Sequence, residues 1–516
     1  LTARARWALV TILAFALALR LVFAVGISGN DDMSVASAAI KVLDYGLHVP
    51  AGHYEARLGL VLPLVGLFAA FGVNVFALLI VPMAASLLGI FLAFKIGQAL
   101  FDTRVGLIAA CVLAVYPMDV EYAGLYFPDL IQGCLMALAF SLLLKTQGRD
   151  SMMEAVAAGL VWGFSYYVKE DAVFLGPVLL LGAVLGYIAW PRMILAGLVA
   201  LGCVGLELVA YGLLTGHPFL HADLVRRAND EVLAANMDYR DIWTYPKAMF
   251  FNPHETGMTF YVALLGLVFA ARRPSRPLVM VIGWCAVFYL WLSFGFDPFS
   301  MSFRLKPQLS RYLQDFSIPL SVLVGWTLTQ IWYHAPRLVS FAGASAALGL
   351  AMLCFIFNAV GYQAPRATRQ ALNDAVAGNW FPLYTDVQSI SIADFVLHDS
   401  GHRQDVHAAQ THDFLTGQTS FATIDGTHAF LLINEGFAAR LQQRNLVKPI
   451  DPSGFGMHAT QIAAAGGVQS ASGGVFLAAL GDLAAVAPAP AKRKLEAIIA
   501  DAEDPAMVRV YRLNRQ

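Results

Sequence analysis

Charge is scarce in this chain: 13% of its 516 residues are Asp, Glu, Lys or Arg, against 58% hydrophobic. A soluble protein carries roughly twice that charged fraction, so a water-soluble globule is excluded. Neither sign is in excess. A formal net charge of −1 offers no footprint for a polyanion, which sets nucleic acid aside as a partner. Cysteine is also rare. Cys111, Cys134, Cys203, Cys285 and Cys354 all lie inside apolar segments, where they read as small buried hydrophobes without a disulfide framework or metal spacing. Internal repeats are lacking, and the one biased tract, AAVAPAPAKRK, reads as a loop.

What the chain does have is apolar length. Runs lie near 7–28, 58–72, 76–97, 105–118, 129–146, 152–168, 172–190, 193–215, 258–271, 277–294, 313–333 and 338–360. Many approach the ~20 residues a helix needs to cross a hydrocarbon core. The first run imitates a secretory signal, with Arg4 and Arg6 ahead of it. Arg20 interrupts it and no small-residue cleavage site follows, so it is expected to stay as the first span.

Placing the short, proline-containing run 58–72 along the outer face leaves eleven spans. Arg4, Arg6, Arg104, Lys145, Arg149, Arg192, Arg272, Arg273, Arg276 and Arg337 then all fall on the cytoplasmic side, as the positive-inside rule requires. Asp31, Asp32, Asp44, Glu55, Asp119, Glu121, Asp129, Glu170 and Asp171 collect on the other side. After residue 360 the composition turns polar. Strand-like AFLLINEG, GGVFLAAL and MVRVYRL alternate with helical KRKLEAIIADAE. The expected fold is a polytopic α-helical membrane domain of about eleven transmembrane helices over 1–360, with juxtamembrane helices in 29–75. An extracytoplasmic α/β domain over 361–516 follows. The cell (inner) membrane is the expected location. His398, His402, His407 and His412 cluster loosely in the second part, at spacings that match no metal template.

Four stretches, in order, carry a family resemblance. NDDMSVASAAIKVLDYGLHVP resembles the acidic first outer loop of lipid-linked-sugar transferases, and HYEARLGLVLPLVGLFAAFGVN the juxtamembrane helix after it. LFDTRVGLIAACVLAVYPMDVEYAGLYFPDLIQGCLMALAFSLLLK is similar to their cytoplasmic turn, a helix ending in proline, an aromatic patch and a Pro-Asp helix start. RYLQDFSIPLSVLVGW resembles their Arg-Tyr-Leu opening of a late helix. Over about residues 5–335 the chain thus resembles the GT-C superfamily of integral-membrane glycosyltransferases, in the branch of protein O-mannosyltransferases and the aminoarabinose transferase of lipid A. It departs at VKEDA, where the branch has Lys-Gly or Lys-Pro.

The resemblance implies inverting transfer of a sugar from a polyprenyl-phosphate donor to an acceptor hydroxyl. The acceptor is a lipid, glycan or protein, and the donor sits in the lipid bilayer. Such chemistry needs a carboxylate to take the acceptor proton and cations to stabilise the departing phosphate. By motif position Asp31 is the expected general base, made more basic by partial desolvation; the plain alternative is a wet loop edge. Adjacent helical residues face different ways, so Asp32, the third catalytic candidate beside Asp31 and Asp129, either orients a neighbour or is solvated. Asp129 is read as a site carboxylate or as a charge offsetting a helix dipole.

Lys169 and Arg311 are cations on the side that topology bias disfavours. They are the expected phosphate ligands, with Tyr312 and the acids Glu121 and Glu170 beside them and Arg304 and Lys306 near. For Lys169 the alternative is pairing with Glu170 and Asp171; Arg20 is open to capping a buried carboxylate. No cofactor is required, a divalent metal being compatible but not implied. Two other functions stay open: a ligase or polymerase using a lipid diphosphate, and a transporter or flippase.

Overall fold

The computed structural model describes residues 2–144, 151–235, 242–297, 302–303, 307–334, 347–355, 358, 363–413, 418–424, 427–435, 450–455, 457–466, parts of 477–500, and 507–515. Arg304, Lys306 and most of the expected span 338–360 lie outside them.

The chain is helical through its first two thirds. Helix α1 (Ala3–Val22) leads to α2 (Asp31–Tyr45), the single turn α3 (His53–Ala56) and α4 (Leu58–Phe71). Then come α5 (Val75–Leu100), α6 (Thr103–Ala114), α7 (Pro117–Tyr122), α8 (Pro128–Leu143), α9 (Met152–Val168) and α10 (Leu175–Val184). After α11 (Trp190–Thr215), a connection carries α12 (Leu220–Ala235), α13 (Thr244–Phe251) and α14 (Pro253–Thr256). Helices α15 (Thr259–Arg272) and α16 (Arg276–Phe294), the short strands β1 (Phe296–Asp297) and β2 (Ser302–Phe303), and α17 (Ser317–His334) follow. Residues 347–355 form α18.

Local chemistry sets these boundaries. Asp102 caps α6 by accepting from the Arg104 and Val105 N–H groups at 2.7 and 2.9 Å, satisfying donors the helix leaves open. Proline stands in the first turn of α7, α8, α11 and α16, where its missing N–H costs nothing.

Among the described residues, four helices, α1, α5, α11 and α16, are long and apolar enough to cross a membrane. Four more apolar helices, α4, α6, α8 and α15, are shorter. Run 172–190 is not one continuous α-helix: a 3₁₀ stretch, Glu170–Phe174, leads directly into the ten-residue α10. At ~1.5 Å per residue α10 alone covers about half a hydrocarbon core, and the 3₁₀ stretch, at ~2 Å per residue, lengthens it. Run 313–333 likewise begins as a 3₁₀ stretch, Ser310–Phe316, before α17.

Beyond α18, helices α19 (Gln363–Gly378) and α20 (Val387–Val396) accompany a mixed sheet. Its strands are β3 (Leu383–Thr385), β4 (Val406–Ala408), β7 (His428–Asn434), β8 (His458–Ala465) and β9 (Val508–Asn514), in the order β4-β3-β7-β9-β8. A separate hairpin pairs β5 (Gln410–Asp413) with β6 (Gln418–Phe421). The expected strands at AFLLINEG and MVRVYRL correspond to β7 and β9. GGVFLAAL does not follow the expectation: its described residues 477, 478 and 480 are helical.

Two glycines allow the close approaches that build one end of the bundle. A Cβ on Gly59 would sit 2.7 Å from the Tyr167 carbonyl carbon, and one on Gly133 would lie 2.9 Å from the Gln314 carbonyl oxygen. Helix α4 therefore touches the end of α9, and α8 touches the 310–316 turn.

Candidate active site

Those contacts bring charged helix ends together. Asp31 opens α2 and Asp129 opens α8, each where a carboxylate offsets the helix dipole. Lys169 ends α9, Asp171 lies on the 3₁₀ stretch after it, and Arg311, Tyr312 and Asp315 occupy the turn before α17.

Lys169 lies at the centre of a closed cage. Its Nζ is 2.8 Å from Asp129 Oδ1, 3.0 Å from Asp171 Oδ2 and 3.2 Å from Asp315 Oδ2. The Tyr312 ring covers it at 4.0 Å, and Trp291 Nε1 donates to Asp171 at 2.9 Å. All four charged side chains are at most 3% exposed. The phosphate-ligand expectation for Lys169 is therefore corrected: its three donors already face carboxylates, as the pairing alternative proposed for Asp171.

Arg311 joins the cage to a more open position. Its Nη2 donates to Asp31, and its Nε stands 3.4 Å from Asp129 Oδ2, too poorly aligned to hydrogen-bond. The guanidinium rests 4.8 Å from the Phe127 ring centroid and 5.5 Å from that of Tyr312. Asp31 is 23% exposed at its side chain, so it faces outward from the cluster. Burial pushes its pKa up, but the Arg311 charge and hydrogen bonds from Tyr54 and Arg311 outweigh that and leave it below the usual carboxylate value. The expectation of a carboxylate made more basic by desolvation is thus reversed.

Asp32 is not solvated, and its hydrogen-bond partners lie in the loop before α2. It is fully buried, and its carboxylate accepts from Ser28 N–H at 2.7 Å, Ser28 O–H at 2.6 Å and Asn30 N–H at 3.0 Å. It shapes the loop before α2, with its pKa raised by burial against those bonds. A catalytic place for Asp32 is withdrawn because both oxygens are occupied. Glu121 stands apart too, accepting from Asn358 Nδ2 at 2.8 Å. Glu170 instead pairs with Arg57 at 3.2 Å.

Arg57, Tyr54 and Asp315 complete the constellation without having been expected at the site, and Asp171 was expected there only as a partner of Lys169. The signal for Arg57 is an arginine at the head of an apolar helix. The signal for Asp315 is an acid one helical turn after Arg311. Arg57 is 7% exposed, and its Nε has no hydrogen-bond partner among the described residues. His53, beside Arg57, is driven down to about 4 by burial and by that positive charge, so its ring is neutral near pH 7.

Arg20 behaves as its alternative proposed, pairing with buried Asp119. Of the four histidines, His398 contacts Asp44 and Asp399, and His402 contacts Asp405. The side chain of His412 lies outside the described residues. Among the described residues, no group of three His, Cys, Asp or Glu side chains is arranged around a metal position.

Comparison with known proteins gives this arrangement a context. Residues 62–210 match the dolichyl-phosphate-mannose-protein mannosyltransferase family. No curated protein shows a significant match. The fold is similar to that of ArnT from Cupriavidus metallidurans, with a TM-score of 0.55 and 15% identity over 86% of this chain and 95% of that one. ArnT bound to undecaprenyl phosphate gives 0.54 at 15% identity, over 84% and 94%. The archaeal oligosaccharyltransferase AglB from Archaeoglobus fulgidus, in complex with an inhibitory peptide and a dolichol-phosphate, gives 0.59 at 11% identity, over 99% and 88%. The chain is a membrane protein with the GT-C fold.

Proposed function

We propose that this chain transfers a sugar, with inversion, from a polyprenyl-phosphate donor to an acceptor hydroxyl at the extracytoplasmic face of the membrane. The observation that carries this reading is the Asp31–Arg311 pair at the outward edge of the charged cluster. A general base and a phosphate-binding cation hold each other there.

In the proposed reaction, the donor phosphate draws Arg311 away from Asp31, with Arg57 as the second cation. Losing its partner raises the proton affinity of Asp31. Asp31 then takes the acceptor proton as the acceptor oxygen bonds to the anomeric carbon. The bond from that carbon to the phosphate oxygen breaks, and its electron pair leaves with the phosphate, which the arginines stabilise. Lys169 keeps Asp129 in place, and Asp129 in turn faces Arg311. No step calls on a metal, since two guanidinium groups suit a monophosphate.

The relatives support the donor class. ArnT is seen with undecaprenyl phosphate and AglB with a dolichol-phosphate. A second reading is transfer of an oligosaccharide, which the likeness to the oligosaccharyltransferase AglB favours, with a lipid diphosphate as the donor. Purified protein offered radiolabelled polyprenyl-monophosphate sugar and the diphosphate form separates the two. Transfer from neither sinks both.

The proposed topology has eleven crossings, the N-terminus in the cytoplasm and residues 361–516 forming an extracytoplasmic domain. Single cysteines at Arg273 and Asp405 should label from opposite sides of the membrane; labelling from one side rejects it.

A further inference from the structure

The helix that carries Asp31 is held from both sides. Its middle is a run of small and branched apolar residues, and Val35, Ala36, Ala38, Ala39 and Ile40 are at most 2% exposed. A helix at a membrane surface normally buries one stripe. Helix α2 buries more because α4 packs on one side of it and α20 on another. One continuous apolar cluster joins Ile40 of α2, Leu64 of α4, and Ile392 and Phe395 of α20.

Polar contacts fix both ends of this segment to the C-terminal part of the chain. Ahead of Asp31, Arg366 of α19 donates to the Ala24 carbonyl oxygen at 3.3 Å. At the far end of α2, Asp44 receives Arg403 Nη1 and stands 3.2 Å from His398 Nε2. Arg403 is itself held by Asp394 of α20, and His398 by Asp399 at 2.8 Å.

We propose that the C-terminal sheet region is a positioning element for Asp31, with Arg403, Asp44 and Arg366 as positioning residues that fix helix α2. The proposal rests on the reading of Asp31 as the base. An ordinary partly exposed ion pair contributes little to stability. A clamp on this helix acts instead on alignment, where a shift of ~1 Å costs about a hundredfold in rate.

The test uses the full chain with Arg403→Gln, Arg366→Gln and the conservative Arg403→Lys, compared by single-turnover transfer, donor binding and hydrogen exchange. Both Gln variants should lose about tenfold in single-turnover rate at unchanged donor affinity. Residues 31–45 should exchange faster while α5 keeps its protection, and Arg403→Lys should recover most of the rate. A parental rate with unchanged exchange over 31–45 overturns the proposal. So does a rate loss matched by an equal loss of donor binding. Exchange is read without turnover. If the parent transfers no sugar the function reading falls, and unchanged exchange in Arg403→Gln still overturns the clamp.

Discussion

Two of the buried ion clusters among the described residues of the helical bundle, around Arg20 and around Lys169, are built to opposite rules. Around Arg20 every donor is used. Nε bonds Ser86, Nη1 bonds the Ala16 and Ala114 carbonyl oxygens, and Nη2 bonds the Leu113 carbonyl oxygen and Asp119. One cation meets one carboxylate, and no N–H donor of Arg20 is left over. Around Lys169 and Arg311 the balance fails: four carboxylates, Asp31, Asp129, Asp171 and Asp315, face two cations. Asp129 Oδ2, Asp315 Oδ1 and Arg311 Nε have no hydrogen-bond partner among the described residues.

On the proposed reading of the site, the difference separates scaffold from site. Leaving buried polar groups unmade costs free energy, so a fold keeps such a deficit where a ligand or a reaction uses it. The satisfied cluster ties α1, α5 and α7 together. The unsatisfied one stands where α2, α8, α9 and the turn before α17 converge.

The largest effect should come from the base. Asp31→Asn keeps shape but accepts no proton, so single-turnover transfer at saturating donor should fall by about 10²–10⁴-fold with donor binding kept. A parental rate moves the base elsewhere. Next is the scaffold. Arg20→Met strands buried Asp119 and should lower stability by about 3–5 kcal/mol, whereas the double change with Asp119→Leu should regain most of it. If denaturant unfolding shows no recovery, the Arg20 cluster is more than scaffold.

Arg311→Ala should weaken donor binding by about 1.5–3 kcal/mol, the worth of a hydrogen bond to a charged group. It should also move the acid limb of the pH–rate profile. Arg311 holds the Asp31 pKa below the usual value, so without it that pKa rises and activity is lost at higher pH as the solution is acidified. A limb that stays in place separates Asp31 from the pH response. The smallest effect belongs to Tyr54→Phe, which removes one hydrogen bond to Asp31. It should cost about 0.5–1.5 kcal/mol, less than tenfold to about tenfold in rate, and shift the same limb upward by less than Arg311→Ala does.

Much of this molecule is legible locally. Helices α1, α5, α11 and α16 follow from apolar length, β7 from a short continuous apolar run and β9 from alternation with branched residues. Strand β8 was not legible: HATQIAAA is rich in alanine, a poor strand former, and takes its conformation from pairing with β9. At the site, Asp31, Asp129, Lys169, Arg311, Tyr312 and Glu170 could be singled out by motif and by side of the membrane. Their partners could not. Asp32 could be set apart from Asp31 by its helix face, but its bonds to Ser28 and Asn30 could not be read from the sequence.

The sequence by itself determined that this chain lives in a membrane and which ends of its helices gather acid, because hydrophobic length and charge bias are properties of contiguous residues. Only the tertiary structure decided what each charge does. Asp31 meets Arg311 across 280 positions and Lys169 meets Asp315 across 146. Such pairings depend on how closely Gly59 and Gly133 let neighbouring segments approach, and burial with those partners, rather than residue type, sets whether a carboxylate is a base, a cap or a counter-ion.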